Sequence, residues 1–240
     1  DNYLTVDGKP YVSFFAPNEL LKSMGSPEKV REAFDAMRER ARDAGLAGLH
    51  IGACAGGQRA QLEALKRAGV DSLTAYNYVQ TDAITTQSPY RHFVLSHEAI
   101  WERMQREAVL PYIPLLTSGW DSRPWHGPRA RAKFGRRSED FTEALVRLKA
   151  NLDATGGKMA ILEAWNEWGE GSYIEPNAEF GFADLESIRR TFAKPGDWPV
   201  NLAPSDLGMN APYDLREAEA GCRAAMKFGK QVTLKGVHPA

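Results

Sequence analysis

The segment at residues 164–176 concentrates side chains that are able to do chemistry. It directly follows an apolar run at residues 159–162. Its carboxylates and indoles are Glu167, Glu170, Glu175, Trp165 and Trp168. Indole faces stack on the apolar faces of sugar rings, and paired carboxylic acids supply the proton and the base that break a glycosidic bond. The composition of this segment therefore favours a site that cleaves or transfers sugars.

Glu167 and Glu170 are the candidate catalytic pair. Three positions separate them, so a straight strand would direct them to opposite sides, whereas a turn brings them to one side. Gly169 and Gly171 favour such a turn. Two carboxyls held close together titrate apart, so that one remains an acid while the other acts as a base. The alternative is a solvated acidic loop, and the neighbouring tryptophans favour the functional interpretation.

Other residues of the segment are candidate substrate contacts. We predict that Trp165 and Trp168 stack on sugar rings and that Tyr173 forms part of the pocket wall. Asn166 either binds a substrate hydroxyl or caps the turn. Glu175 either reaches the same pocket or pairs with an arginine.

A second candidate region is the loop at residues 118–127, which also follows an apolar strand. Trp120 is a candidate platform for sugar stacking, and Asp121 and Arg123 are candidate binders of sugar hydroxyls. The alternative is a surface loop that its tryptophans attach to the body of the protein.

The strand segment at residues 72–79 provides Tyr76 and Asn77 as candidate pocket residues, although alternating aromatics on a strand also occur in cores. His126 has no histidine or cysteine at ligand spacing, so we predict no metal site and no cofactor.

Composition narrows the class of protein. The chain has 240 residues, 43% of them hydrophobic, and a formal net charge of −1, which is typical of a globular protein and gives no reason to expect a nucleic-acid partner. Apolar runs are too short for a membrane span. Cys54 and Cys222 are too few for a disulfide framework, and we interpret them as buried free thiols.

Apolar strands alternate with amphipathic helices along most of the chain, and we recognise no strand–strand hairpin. This pattern predicts a parallel sheet covered by helices. We expect an irregular loop at 119–137 and, from Lys194, an irregular extension with one short helix near 215–228. The predicted strands are 11–16, 49–54, 72–79, 110–116 and 159–164; the predicted helices are 26–43, 58–68, 96–107, one that Ser138 caps, and 182–192.

Five strand–helix units fit either an open doubly wound sheet or most of a barrel. No glycine-rich phosphate loop follows the first strand, which disfavours a nucleotide-binding sheet. Polar and aromatic residues follow the ends of several strands, as they do in a β/α barrel. We therefore predict an α/β fold of the (β/α)8 TIM-barrel type, with a barrel domain at 1–193 and an extension at 194–240.

At these residues the chain resembles the WbsX-like proteins, which are grouped with glycoside hydrolase family 99, the endo-α-mannosidases and mannanases. The resemblance covers residues 2–190, and its most specific element is Asn-Glu-Trp-x-Glu-Gly. The matching elements, in chain order, are Asp7-Gly8-Lys9-Pro10, Gly119-Trp120-Asp121-Ser122-Arg123-Pro124, Trp165-Asn166-Glu167-Trp168-Gly169-Glu170-Gly171, Ile174-Glu175-Pro176 and Gly181-Phe182-Ala183.

The resemblance implies an oligosaccharide or polysaccharide substrate and specific roles for the two glutamates. Glu167 would remove the proton of a sugar 2-hydroxyl to give an anhydro-sugar, and Glu170 would protonate the leaving oxygen and then activate water, with net retention. WbsX-like members were named as glycosyltransferases, so sugar transfer is one alternative, and a non-catalytic glycan-binding module is another.

The family pattern also places the Asp-Gly-Lys-Pro element in the middle of the domain, after about three strand–helix units. We therefore expect only the C-terminal five units of the barrel here, with the missing N-terminal part as a possible partner and the fragment inactive alone. The sequence leaves the sugar, its linkage and the cellular compartment open.

Overall fold

The computed structural model describes residues 3–79, 86–107 and 109–207, whose elements alternate between strands and helices. The strands are β1 (Thr5–Val6), β2 (Lys9–Phe14), β3 (His50–Cys54), β4 (Ser72–Thr74), β5 (Gln87–Pro89), β6 (Leu115–Thr117), β7 (Trp120–Asp121), β8 (Ala132–Phe134), β9 (Ile161–Glu163), β10 (Asn166–Glu167) and β11 (Ser172–Tyr173). The α-helices are α1 (Pro17–Met24), α2 (Pro27–Asp43), α3 (Arg59–Arg67), α4 (Tyr90–Glu107), α5 (Arg123–His126), α6 (Ser138–Thr155) and α7 (Ala183–Phe192). Two 3₁₀ helices span Trp168–Glu170 and Pro204–Leu207.

The predicted strands run parallel and are neighbours in chain order. Strands β2, β3 and β4 pair in parallel, and so do β6 and β9. A parallel bridge between Leu73 and Tyr112 joins the two sets, supported by hydrogen bonds from the Leu73 amide to the Pro111 carbonyl and from the Ile113 amide to the Leu73 carbonyl, both 2.8 Å. Helices connect each strand to the next, which agrees with the predicted α/β class.

Local sequence explains where the helices begin. At α2 the Ser26 side chain accepts a hydrogen bond from the Lys29 amide at 3.2 Å, and Pro27 occupies the first helical position, as predicted. The predicted Ser138 cap was wrong, because Arg137 is the N-cap of α6 and makes no side-chain cap bond. Helix α4 begins at Tyr90, earlier than the predicted residue 96, because an aromatic apolar face extends through its first turns.

The core lies between the sheet and the helices. Helix α4 contributes Phe93 and Trp101, and α6 contributes Phe141 and Leu145, all of them fully buried. Burial of each such side chain contributes roughly 1.5–3 kcal/mol. Tyr78 is also buried in this core. We predicted it inside a strand, but the strand ends at Thr74.

The absence of hairpins was a wrong prediction. Strands β1 and β2 form an antiparallel hairpin across Asp7 and Gly8, whose φ values of 50° and 74° suit a two-residue turn. Strands β7 and β8 are also antiparallel, so the segment at 119–137 is not simply irregular. The third antiparallel pair is β10 and β11. All three pairs contain a strand of two or three residues, which is too short to show an alternating pattern.

The chain forms two compact units, Asp1–Ala193 and Lys194–Ala240. In the described part of the second unit, residues 194–207, the Asp206 carboxylate accepts a hydrogen bond from the Ala203 amide at 2.8 Å next to the 3₁₀ helix. The predicted helix at 215–228 and Cys222 lie outside the described residues, and Cys54 is a half-buried free thiol. Among the helices that the structure describes, none has the length and apolar character to cross a membrane.

Candidate active site

The candidate catalytic glutamates lie on a short hairpin just beyond β9. Asn166 and Glu167 pair with Tyr173 and Ser172 across β10 and β11, and the 3₁₀ helix Trp168–Glu170 forms the tip. Gly171 closes this helix with a φ of 68°, in the left-handed region that favours glycine. The predicted bend is therefore present at the predicted place. It directs Glu167 and Glu170 to the carboxyl ends of the parallel strands.

Tyr76, just beyond β4, contacts Glu170. Its hydroxyl donates a hydrogen bond to Glu170 at 3.1 Å. Burial raises the pKa of Tyr76, and the hydrogen bond to Glu170 raises it further. The negative charges of Glu170, Glu167 and Glu163 raise the same pKa as well. Three carboxyls therefore converge on one phenol at this edge of the sheet.

Among the described residues, no ion pair joins Glu167 or Glu170 to a lysine or an arginine. Glu167 is exposed and Glu170 is half-buried. Both carboxyls are therefore accessible for reaction with a bound molecule.

Trp168 stands on the hairpin between an aromatic ring and a carboxylate. Its ring stacks on Tyr173 with centroids 4.0 Å apart and planes at 20°. Its indole Nε1 donates a hydrogen bond to Glu175 at 2.8 Å. Of the two alternatives for Glu175, the described residues thus give it an indole partner rather than an arginine. These contacts fix the orientation of Trp168, half of whose surface stays exposed.

The second candidate loop packs against this hairpin. A Cβ at Gly119 would lie 2.5 Å from the Gly171 carbonyl, and a Cβ at Gly171 would lie 2.8 Å from the Asp121 amide, so both glycines permit the close approach. Trp125 donates a hydrogen bond from its indole to the Gly169 carbonyl, which attaches the loop to the hairpin tip. The attachment that we considered as an alternative for this loop is therefore present.

Asp121 and Arg123 form an ion pair at the surface of this loop. Arg123 donates through Nε at 2.8 Å and through its terminal nitrogen at 2.5 Å. The bond from the Arg123 guanidinium holds the pKa of Asp121 below its ordinary value.

A cavity of about 470 Å³ opens between the loop and the hairpin. Aromatic rings and charged groups line it together, and the Trp120 Nε1, which is buried, makes no hydrogen bond within the described part of the chain. The lining includes Trp120, Asp121, Arg123, Arg136, Trp168 and Tyr173. A mixture of flat aromatic surface and fixed polar groups is typical of a pocket for a small polar ligand.

The segments that form the candidate site lie within a region that matches known proteins. Residues 1–188 match the family model described as glycosyltransferase WbsX. The chain belongs to the WbsX glycosyltransferase family. Two curated relatives are the uncharacterized protein WxcX from two strains of Xanthomonas campestris pv. campestris, strain ATCC 33913 and strain B100, which are 25% and 24% identical over 207 residues. Each match covers 81% of this chain but only 28% of the relative.

Solved structures show the fold of this WbsX family member. A chain described as a glycoside hydrolase-like protein superposes with a TM-score of 0.57 at 20% identity, covering 81% of this chain and 57% of that one. A GH99 endo-alpha-mannosidase from Bacteriodes thetaiotaomicron in complex with bis-tris-propane gives a TM-score of 0.45 at 16% identity, covering 79% and 57%. The first of these establishes that the chain shares a mixed α/β fold with a glycoside hydrolase-like protein.

The WbsX chain places the predicted site residues in more than one group. Tyr76 bonds to Glu170, but neither Glu167 nor Glu170 is among the residues that line the 470 Å³ cavity. Tyr76 and Asn77 line a separate cavity of about 180 Å³. Trp165 and Asn166 are exposed at the base of the hairpin. Asn77 is different, because its side-chain oxygen accepts a hydrogen bond from the Val79 amide at 3.3 Å and so stabilises its own turn.

Two groups near the site were missed by sequence reasoning. Glu163 ends β9 and is only 4% exposed, yet we treated it as an ordinary strand residue. Its signal was an acid inside an apolar run that precedes an acidic loop. Arg136, which lines the cavity, was hidden in a segment that we expected to be irregular. Within the part of the chain that the structure describes, no group of three or more histidine, cysteine or acidic side chains is arranged to hold a metal ion.

Proposed function

We propose that this WbsX-family chain supplies the catalytic region of a glycan-processing enzyme that cleaves glycosidic bonds with retention through Glu167 and Glu170. One observation carries the proposal: Glu167 and Glu170 lie on one short hairpin just beyond β9, and Glu170 accepts a hydrogen bond from the Tyr76 hydroxyl. Among the described residues, no cation forms an ion pair with either glutamate. The carboxyl ends of the strands are where β/α barrels carry their catalytic groups.

The proposed chemistry has two balanced steps. First, Glu167 removes the proton of the 2-hydroxyl while that oxygen attacks the anomeric carbon, and Glu170 gives its proton to the departing glycosidic oxygen. The products of this step are an anhydro-sugar and the free leaving group. Second, Glu170 takes a proton from water as the water oxygen attacks the anomeric carbon, and Glu167 returns its proton to the 2-oxygen. Two inversions at the same carbon give net retention.

Substrate binding is assigned to the groups around the hairpin. We infer that Trp120, Trp165 and Trp168 offer faces on which sugar rings stack, with Tyr173 as the wall behind Trp168. The polar candidates Asp121, Arg123, Asn166, Glu175, Tyr76 and Asn77 would bind hydroxyls. Asn77 is the weakest of these, because its oxygen already accepts a backbone hydrogen bond.

The contacts of the two glutamates favour an enzyme over a non-catalytic glycan-binding module. A binding module predicts acids that arginines hold in fixed ion pairs, as Arg123 holds Asp121. In the described residues Glu170 instead accepts a neutral phenol hydrogen bond, and Glu167 is exposed. A carboxylate with that environment remains free to exchange a proton.

Sugar transfer is the second candidate, and the description of the family favours it. The same two glutamates serve this reaction if a sugar hydroxyl replaces water in the second step. The chain spans 28% of its curated relatives, so the activity of a longer protein is included in this proposal. We also propose that residues 1–193 are five β/α units of an eight-unit barrel and that residues 194–240 form a separate extension.

Incubation of the purified protein with a panel of α-mannans and bacterial surface polysaccharides tests the proposal. New reducing ends, whose first-formed anomer in proton NMR matches the configuration of the cleaved bond, are expected for a retaining hydrolase. Sugar transferred to an added acceptor glycan, without new reducing ends, would identify a transferase. Binding of glycans without any bond cleavage, in a protein that contains all the barrel units of its relatives, would overturn the catalytic proposal.

A further inference from the structure

Glu163 is a buried carboxyl that the proposed reaction does not use. It is the last residue of β9, where it pairs in parallel with Thr117 of β6. It is 4% exposed, and neither carboxyl oxygen makes a hydrogen bond with any of the described residues. The Thr117 hydroxyl is also buried without a hydrogen-bond partner in the same part of the chain. A buried acid without such partners is costly when it is charged.

The backbone of Glu163 holds the hairpin in place. Its carbonyl accepts a hydrogen bond from the Ser118 amide at 2.6 Å and another from the Ser172 hydroxyl at 3.0 Å. Ser172 lies directly opposite Glu167 in the β10–β11 ladder. Glu163 therefore lies at the point where β6, β9 and the hairpin meet, underneath the candidate catalytic pair.

The groups that face Glu163 favour the neutral form of its carboxyl. Burial raises the pKa of Glu163 to about 7. The charges of Glu170 and Glu167 raise the pKa further. The groups that face it come from β6, the hairpin and the turn after β4; they are Thr117, Ser172, Glu167, Glu170 and Tyr76, none of which is a cation.

We propose that Glu163 is a positioning residue of this site, a third carboxyl held neutral beneath the hairpin so that it adds no charge beside the base Glu167 and the acid Glu170. This inference rests on the proposed function of that pair. Loss of the Glu163 proton places an additional negative charge in a buried position close to both carboxyls. That charge raises the affinity of the pair for protons and so changes the balance between acid and base.

Carbon NMR of protein labelled at the glutamate carboxyls tests the inference without any substrate. Resonances of Glu163, Glu167 and Glu170 are assigned by their loss in E163Q, E167Q and E170Q. We expect the Glu163 signal to titrate near neutral pH and the Glu170 signal to show an inflection at the same pH. That inflection should vanish in E163Q and persist in E39Q, a control at an exposed glutamate of α2.

An ionised Glu163 at every pH between about 5 and 9, or a Glu170 signal that E163Q leaves unchanged, would overturn the inference. If E163Q does not fold, infrared spectra of the unmutated protein still show whether it contains a protonated carboxylic acid. The carbonyl band of a protonated carboxylic acid should persist at pH values where exposed glutamates are ionised, and it should disappear as the pH rises past neutral. Its absence at mildly acidic pH contradicts the proposal.

A functional measurement separates positioning from a purely structural role. On any glycan that the enzyme turns over, the parent and E39Q should show a change in kcat near neutral pH that E163Q lacks. An unchanged pH profile in E163Q refutes the positioning role. If no glycan is turned over, the proposed function fails, and the NMR titration alone still decides whether Glu163 is a neutral acid coupled to Glu170.

Discussion

At the scale of single residues, glutamates that lie close together in the sequence have different environments in the fold. Glu163 and Glu167 are four positions apart, but the first ends a buried strand and the second lies exposed on a hairpin. The cost of charging a carboxyl depends on burial and neighbouring charge, so the same residue type serves as a neutral acid or as a reactive carboxylate. Sequence motifs identify the exposed member and miss the buried one.

Burial of Glu163 predicts a stability that decreases as the pH rises. The unfolded chain ionises this group at its ordinary pKa of 4.5, whereas the folded protein holds the proton up to about 7. Its contribution is therefore fully present below pH 4.5 and is lost as the pH rises through about 7. The loss is about 3 kcal/mol in the free energy of unfolding.

Urea unfolding of parent and E163Q at acidic and mildly alkaline pH measures this loss. We expect E163Q to lack most of the decrease, because the amide cannot ionise. The variant E39Q, at an exposed glutamate of α2, should retain it. Equal pH dependence in the parent and E163Q would mean that Glu163 is not the group responsible.

At the scale of elements, the candidate site depends on close backbone approach at Gly171. Gly156 offers a matched control, because both glycines end a helix with a φ of 68°, and a Cβ at Gly156 would meet nothing within 4 Å. G156A should cost about 1 kcal/mol from the left-handed conformation alone. G171A should cost about 1–3 kcal/mol more, because its Cβ would contact the Asp121 backbone.

Denaturation midpoints of the two glycine variants measure the difference. A second indicator is the indole fluorescence of Trp125, which should change in G171A because the loop and the hairpin separate. Equal destabilisation by the two variants would show that the hairpin and the loop do not need this contact.

The ion pair of Arg136 and Asp184 joins the start of α7 to the segment before α6. The terminal nitrogen of Arg136 lies 2.6 Å from Asp184, and the two side chains are only 9% and 3% exposed. The guanidinium also lies over the rings of Phe141 and Phe180, at 4.8 and 4.5 Å from their centroids. Removing the carboxylate leaves a buried cation without its partner.

We predict that D184N lowers the free energy of unfolding by about 3–5 kcal/mol. D153N is the control, since Asp153 pairs with Lys149 on the exposed face of α6 and should contribute less than about 1 kcal/mol. Thermal unfolding of both variants compares them directly. A D184N protein as stable as D153N would show that packing, rather than the ion pair, holds α7 in position.

Long helices and strands could be predicted from the sequence, whereas very short strands could not. The helix that Ser26 caps and the strand ending at Cys54 agree with their predicted positions, because a capping residue or an apolar run defines each one. The pairs β7–β8 and β10–β11 were not predictable, because two-residue strands carry no period. Their positions are set by tertiary contacts, such as the Trp125 bond to Gly169.

At the scale of the whole molecule, chain order explains how distant segments form one site. Parallel neighbours place the carboxyl ends of β4, β6 and β9 side by side, so Tyr76 and Glu170 meet although 94 positions separate them. The alternation of strands and helices was sufficient to predict that convergence. The same alternation did not predict the burial of Glu163 and Arg136, because that burial depends on how the hairpin and α7 pack.

The central claim is that Glu167 and Glu170 carry out the chemistry, and one measurement tests it most directly. The turnover of an accepted glycan is compared among the parent, E167Q, E170Q and the control E39Q at an exposed glutamate of α2, with glycan affinity measured in parallel by calorimetry. Each amide keeps the shape of the glutamate but cannot exchange a proton. We predict that E167Q and E170Q each lower kcat by at least about 100-fold while affinity survives and E39Q stays unchanged. Near-parental kcat in both E167Q and E170Q would contradict the claim and leave the two acids with a binding or structural role.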